Sequence, residues 1–301
     1  KNCKEINKTN VIIYDRKDKI NFISENNCLK FYIENQNKWI DNNYNIFNIF
    51  INQESIKILD KIEINTKPLE YYCDFTLGIT PYDKYVGHTQ EQIKNRVFHS
   101  VTKKNETFKE LLTGEDIKRY YVKWGEKEYI SYGDWLAAPR RKEFFIGEKI
   151  FVRQIISGKP LRIYAAFTNE EYYITQIGFS IISKNNISLK FILAIINSKL
   201  MNFYHKNKYL DQSKDLFQKI LIQNARKFPI IENINKQMSE KLITLVDNML
   251  ETQKLYHNAK SDSDKNLYKQ KIDLIDNQID NLVYKLYGLT EEEIKIVEGE
   301  K

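Results

Sequence analysis

At 301 residues, with 42% hydrophobic and 13% aromatic content, the chain has the length for one large or two ordinary domains. It also has the apolar mass for a packed core, which excludes a disordered or linker-rich protein. Three cysteines (Cys3, Cys28, Cys73) with no CxxC pair suggest neither a disulfide framework nor a zinc site, and a reducing cytoplasm fits them. No apolar run reaches the roughly 18 residues of a membrane span, and no signal peptide opens the chain.

The net charge of +7 is unevenly spread. Residues 1–80 balance 11 Lys/Arg against 11 Asp/Glu, residues 81–230 carry 26 against 15, and residues 231–301 carry 10 against 14. Seven of the eight arginines fall in the basic middle. A cationic segment of +11 between neutral and acidic flanks has the pattern of a polyanion footprint; chance clustering on a solvated surface is the bland alternative.

In chain order, residues 1–40 read as short strands and turns, with Val11–Tyr14, Phe22-Ile23 and Leu29–Ile33 as the apolar pieces. Such a stretch suits an entry arm or linker, and the start at Lys1, without Met, is expected of a piece of something longer. Residues 53–65 place Ile56, Leu59, Ile62 and Ile64 near helical spacing, with Asn52 as N-cap and Pro68 as stop. Residues 69–79 read as a strand leading to Gly78. Thr107–Leu112 ends in the Thr113-Gly114 turn, which feeds Asp116–Val122; strands are expected at Glu128–Tyr132 and Lys149–Ile156, with Ser157–Pro160 as a turn and Leu161–Phe167 and Tyr172–Ile182 completing an antiparallel set. Leu189–Tyr204 reads as one apolar helix capped by Ser188.

The last section is the most regular. Ile234, Met238, Leu242, Leu245, Val246, Met249 and Leu250 share one helical stripe, and Leu267, Ile272, Ile275, Ile279, Leu282, Val283 and Leu286 share another. A polar loop at 258–264 joins them, so an antiparallel hairpin is expected. Gly288 fits the end of the second helix, and Thr290–Glu293 has the spacing of a capping box. The expected class is α+β: a mixed, mainly antiparallel domain over 68–230, preceded by the arm (1–67) and followed by the hairpin as a spacer (231–301).

Motifs for chemistry are missing. The sequence holds no G-x-S-x-G elbow, no P-loop, no G-x-G-x-x-G after a strand and no H-E-x-x-H. His88, His99, His205 and His257 lack ligand spacing. No catalytic residue, metal ligand or cofactor is assigned to this chain. Residues suited to nucleic acid are better represented. Arg140-Arg141 follows a loop ending in Pro139, where two guanidinium groups suit successive phosphates. Arg153-Gln154 lies on an expected strand, so only one of the two side chains should face a ligand. Arg162 and Tyr164 alternate on the next and are expected to share a face. Arg and Gln are the residues best able to bond guanine and adenine edges in a duplex major groove. Lys84, His88, Thr89 and Gln90 occupy the polar loop after Pro81, and Arg96, Lys118 and Arg119 add to the basic segment.

At these residues the sequence resembles the TaqI-like C-terminal specificity domain. The carrying segments are Gly78–Tyr85, Leu112–Tyr120, Val152–Ile156, Tyr173-Ile174-Thr175-Gln176, Ile195–Leu200 and Ile279–Thr290, together spanning about residues 68–298. The resemblance implies a target recognition domain attached to an adenine-N6 DNA methyltransferase, often with a nuclease, as in single-chain type IIG enzymes. It is similar too to the recognition domain and helical spacer of type I specificity subunits. Expected partners are double-stranded DNA, with Thr175 and Gln176 among its readers, and the methyltransferase domain of the same parent chain; no membrane is expected. S-adenosylmethionine, and magnesium if a nuclease is present, are expected of the parent, because the methyltransferase motifs do not occur here. The hairpin's net charge of −4 suits protein or solvent better than DNA. A non-catalytic protein-interaction adaptor, with a basic face and a dimerising hairpin, is the alternative reading.

Overall fold

The computed structural model describes residues 8–14, 22–24, 28, 30–35, 51, 53–158, 161–210, 218–233 and 235–299. Asn52 as a cap, Leu29, Lys159-Pro160 of the turn and Ile234 of the hairpin stripe lie outside them. Two compact units are present, residues 1–56 and residues 57–301. In the first, β1 (Lys8–Ile13) pairs antiparallel with β2 (Lys30–Asn35).

Helix α1 (Gln53–Glu63) sets Glu54 in its first turn and Lys61 in its last, which suits the helix dipole. Its Ile58 and Ile62, four residues apart, are buried in the second unit. Strand β3 (Thr66–Pro68) pairs with a strand more than 150 residues later. The stretch 57–67 is therefore part of the fold and not the linker expected for it. After Pro68 comes a single helical turn, α2 (Leu69–Tyr72), and only then β4 (Cys73–Leu77). The strand expected from residue 69 is shorter because Pro68, at φ −61°, starts a helical turn.

A 3-10 turn at Lys84–Val86 and the short helix α3 (Gln90–Lys94) follow. Next come β5 (His99–Ser100), β6 (Phe108–Leu112), β7 (Tyr129–Ser131), β8 (Lys149–Arg153), β9 (Ala165–Thr168), β10 (Tyr173–Ile174) and β11 (Gly178–Ser183). The central sheet has the order β4-β11-β8-β9 and is antiparallel throughout; the second has the order β10-β6-β7-β5, with only β10 and β6 parallel. The mixed, mainly antiparallel α+β class expected from the sequence is the one found.

Alternation along the central strands shows both faces of that sheet to be covered. On β8, Ile150 and Val152 enter one apolar cluster while Phe151 enters another, and on β9 Ala165 and Ala166 divide likewise. The Phe151 side is shared with Leu111, Leu112 and Ile130 of the second sheet. The Ile150 side is shared with helices α4 (Leu189–Asn197), α5 (Lys199–Tyr209) and those that follow. Gly78 stands where β4 passes toward the second sheet: a Cβ there would lie 1.8 Å from the Thr175 carbonyl oxygen, so only glycine fits.

The expected helix 189–204 is two helices. Ser188 caps α4 as read from the sequence. Ser198 then leaves the helical region (φ −63°, ψ 154°), accepts the Met201 N–H at 3.1 Å and donates to the Ile195 carbonyl at 2.7 Å. A short α6 (Ile222–Ala225) leads to β12 (Pro229–Ile231), the partner of β3. The hairpin forms as α7 (Lys236–Asn258) and α8 (Asp262–Leu286), followed by Gly288 at φ +67°. Thr290 and Glu293 make the capping box of α9 (Glu291–Glu298).

Leu242, Val246 and Met249 of α7 and Ile279 and Val283 of α8 belong to the same apolar cluster as α4 and the central sheet. The compact unit thus runs through the expected boundary at 230/231. Among the described residues no helix is long and apolar enough to cross a membrane.

Candidate nucleic-acid interface

Where β8 ends, the central sheet opens into a cleft of about 750 Å³. Its wall combines Thr80, Arg153, Gln154, Thr175, Gln176 and Lys219. Short β-bridges draw these distant segments together: Ile79 with Thr175, and Ile155 with Lys219. Four of the residues expected as readers (Arg153, Gln154, Thr175 and Gln176) meet here. Arg153 and Gln154 both line the cleft, contrary to the strand argument that set them on opposite faces. The reason is that β8 stops at Arg153, so alternation no longer governs Gln154.

Arg153 is held before any ligand arrives. Its Nε donates to Ile155 O at 2.8 Å, Nη1 donates to Gly114 O at 3.3 Å, and Nη2 donates to Ser157 Oγ. The Tyr164 ring lies 4.0 Å from the guanidinium carbon. A guanidinium has five N–H donors, so the fork retains donors for an incoming acceptor. Gln154 is braced through its backbone, donating to Ile177 O and accepting from Ile220 N at 2.8 Å each, while its side chain makes no hydrogen bond among the described residues. Gln176 Nε2 donates to Thr80 Oγ1 at 2.8 Å.

Two loops rise from the cleft edge, tied at their roots by mutual hydrogen bonds of 2.9 Å between Thr80 and Ala138. On the first, His88 and Thr89 are internal braces. His88 Nδ1 accepts the Asp83 N–H at 3.0 Å, which leaves the ring proton on Nε2 to donate to Trp135 O at 2.9 Å. Thr89 and Gln92 cap α3 reciprocally. Lys84 and Gln90 are exposed, and Arg96, at φ +47°, is exposed but paired with Glu128 at 2.8 Å. On the second loop, Arg140 is exposed at φ +62°, and Arg141 pairs with Glu143 at 2.8 Å.

Arg119 and Arg162 are not brought to this surface. Arg119 makes a two-pronged bond to Asp276 of α8 (2.8 and 2.9 Å) and donates to Asn197 O at 2.9 Å. Arg162 Nη1 is 3.9 Å from the same carboxylate, and Tyr120 OH donates to it at 3.1 Å. Burial opposes charge on this pair, but mutual attraction prevails: the Arg119 pKa is raised and the Asp276 pKa lowered. A buried carboxylate needs cationic partners, and these two arginines supply them. One turn along α8, Asp280 has less support. Burial first, and Asp276 second, push its pKa up to about 6 despite the Lys199 N–H bond at 2.8 Å. Lys118, half-buried, also lies away from the cleft wall, and the strand expected to align Arg162 with Tyr164 begins only at Ala165.

Sequence reading missed Thr80, Lys219 and Ser157 as site residues: Thr80 and Lys219 enter beside bridges between distant segments, and Ser157 through its hydroxyl, which accepts from Arg153. Among the described residues no group of three or more His, Cys, Asp or Glu is placed to hold a metal.

Residues 109–230 match the model of the TaqI-like C-terminal specificity domain. Over 237 residues, 76% of the chain, the sequence is 26% identical to the putative type II restriction enzyme and methyltransferase RM.MjaORFECS2P of Methanocaldococcus jannaschii. The chain spans only 18% of that protein's length. In fold it is similar to the type IIL restriction-modification enzyme MmeI, solved in complex with DNA, with a TM-score of 0.51 and 14% identity. That likeness covers 77% of this chain and 36% of MmeI. The matched segment 109–230 contains the cleft-lining Arg153, Gln154, Thr175 and Gln176.

Proposed function

We propose that this chain reads a specific double-stranded DNA sequence for a restriction-modification protein. The observation that carries this reading is the cleft: a preorganised Arg153 beside Gln154 and Gln176, inside the specificity-domain segment and the +11 part of the chain. Arg bonds guanine O6 and N7 in pairs, and Gln bonds adenine N6 and N7, so this set suits base edges in a major groove. Lys84, Arg140 and Arg141 on the two loops supply phosphate contacts that set affinity and its salt dependence.

In the whole protein the partner of this part is an adenine-N6 methyltransferase domain using S-adenosylmethionine, to which the reader presents one adenine for flipping. Magnesium enters if a nuclease is present as well. No residue of this chain is assigned to either group.

Selection from a randomised duplex library at moderate salt tests the proposal. One short sequence should be enriched and should survive excess competitor DNA. Retention of duplex without enrichment would reduce the chain to a generic basic domain, and no retention at all would end the DNA reading.

A further inference from the structure

The first loop presents apolar side chains to solvent on a rigid support. Tyr85 is 84% exposed and Val86 59%, at the apex of the 3-10 turn. The turn is braced on every side. Asp83 Oδ1 accepts the Tyr85 N–H at 2.8 Å, and the Asp83 carbonyl accepts from Val86 and His88. Gly87 closes the turn at φ +98°, a conformation other residues rarely adopt. His88 pins the loop to the Trp135 carbonyl. Beneath it, Tyr82 stacks on Phe98 with ring centroids 5.1 Å apart, while its hydroxyl accepts the Phe98 N–H at 2.8 Å.

A braced turn that holds an aromatic ring in water is arranged for a partner. The surroundings say which kind. Lys84 Nζ is 4.7 Å from the Tyr85 ring centroid, and Lys94 and Arg96 are exposed on the same loop. An aromatic face set among cations matches a base with its flanking phosphates, where rings stack and cations neutralise. The loop leaves the cleft edge directly, since Thr80 and Pro81 belong to the cleft wall.

We infer that Tyr85 is a stacking residue: with a duplex held at the cleft, its ring packs against a base step while Lys84 takes an adjacent phosphate. The inference rests on the DNA-reading function above and names a contact which that function does not require.

The test uses the full chain and a short fluorescein-labelled mixed-sequence duplex, with anisotropy titrations at several salt concentrations. Tyr85→Ala should weaken binding about 5- to 150-fold, the range for loss of one stacked base, with no change in the slope of log affinity against log salt. Tyr85→Phe should bind as the wild type, and Lys84→Ala should lower the slope by about one. DNA should also protect Tyr85 from tetranitromethane while leaving the exposed Tyr71 reactive. Thermal melting should be alike for all variants, because the side chain buries little. Wild-type affinity in Tyr85→Ala, equal losses in Tyr85→Ala and Tyr85→Phe, or unprotected Tyr85 would each overturn the stacking contact. Failure of the wild-type chain to bind any duplex would instead remove the DNA-reading function itself.

Discussion

Gln154 and Gln176 face the cleft with amide groups, whereas Arg140 and Arg141 stand on an exposed loop, and the two pairs should fail differently on truncation. Alanine at Gln154 or Gln176 should cost about 1–3 kcal/mol against the selected sequence and little against its single-base variants, relaxing choice. Alanine at Arg140 or Arg141 should weaken all sequences alike and reduce the salt slope by about one each. Titrating each variant against the selected site and its single-base changes separates the two patterns; identical patterns would refute the division. Buried ionisable groups carry a second residue-scale prediction. Asp280 has its pKa raised from an ordinary 3.8 to about 6, so the folded chain holds that proton more tightly than the unfolded one. Its contribution to stability therefore falls as pH rises from about 4 to 6 and stays low above that. His205, lowered by burial from 6.5 to about 4, acts in the opposite sense and costs stability as pH falls through that window. Asp280→Asn should be more stable than wild type at pH 7, by on the order of 1–3 kcal/mol, and converge with it near pH 4. Urea unfolding across that range checks it, and a less stable variant at pH 7 would show that the Lys199 contacts outweigh burial.

Elements with local punctuation were legible in the sequence. Ser188, Gly288 and the Thr290–Glu293 box act through neighbours three or four residues away, and all three fall where their residue types indicated. The break at Ser198 was not legible. Only three polar residues, Asn197-Ser198-Lys199, separate the apolar residues before it from Leu200-Met201, and no proline or glycine marks it. It exists because the Ser198 hydroxyl bonds the Met201 N–H and the Ile195 carbonyl together, letting the chain turn while both helices stay buried. Ser198→Ala should therefore cost about 1–2 kcal/mol in unfolding free energy. A cost near zero in chemical denaturation would show that tertiary packing alone sets the break.

At the scale of the molecule, the arginine cluster that composition flags as a polyanion footprint divides between two tasks. Arg153, Arg140 and Arg141 remain at the cleft or its loops, while Arg119 and Arg162 turn inward to Asp276. Since α8 reaches the domain through that carboxylate and through the common apolar core, residues 57–301 should unfold as one transition. Arg119→Ala leaves Asp276 buried with a weakened partner and should destabilise the whole unit by about 3–5 kcal/mol. Calorimetry checks both points: separate melting of the hairpin would contradict the shared core. The sequence by itself determined the class of fold, the hairpin, most caps and the basic segment, because periodicity, capping and charge act over a few residues. Only the tertiary structure decided that residues 57–67 and the hairpin join one core, and which arginines are left for a ligand. It also decided that Thr80, Arg153, Gln176 and Lys219 share a wall. Each of those outcomes depends on contacts between segments tens to more than a hundred residues apart, and no local pattern encodes them.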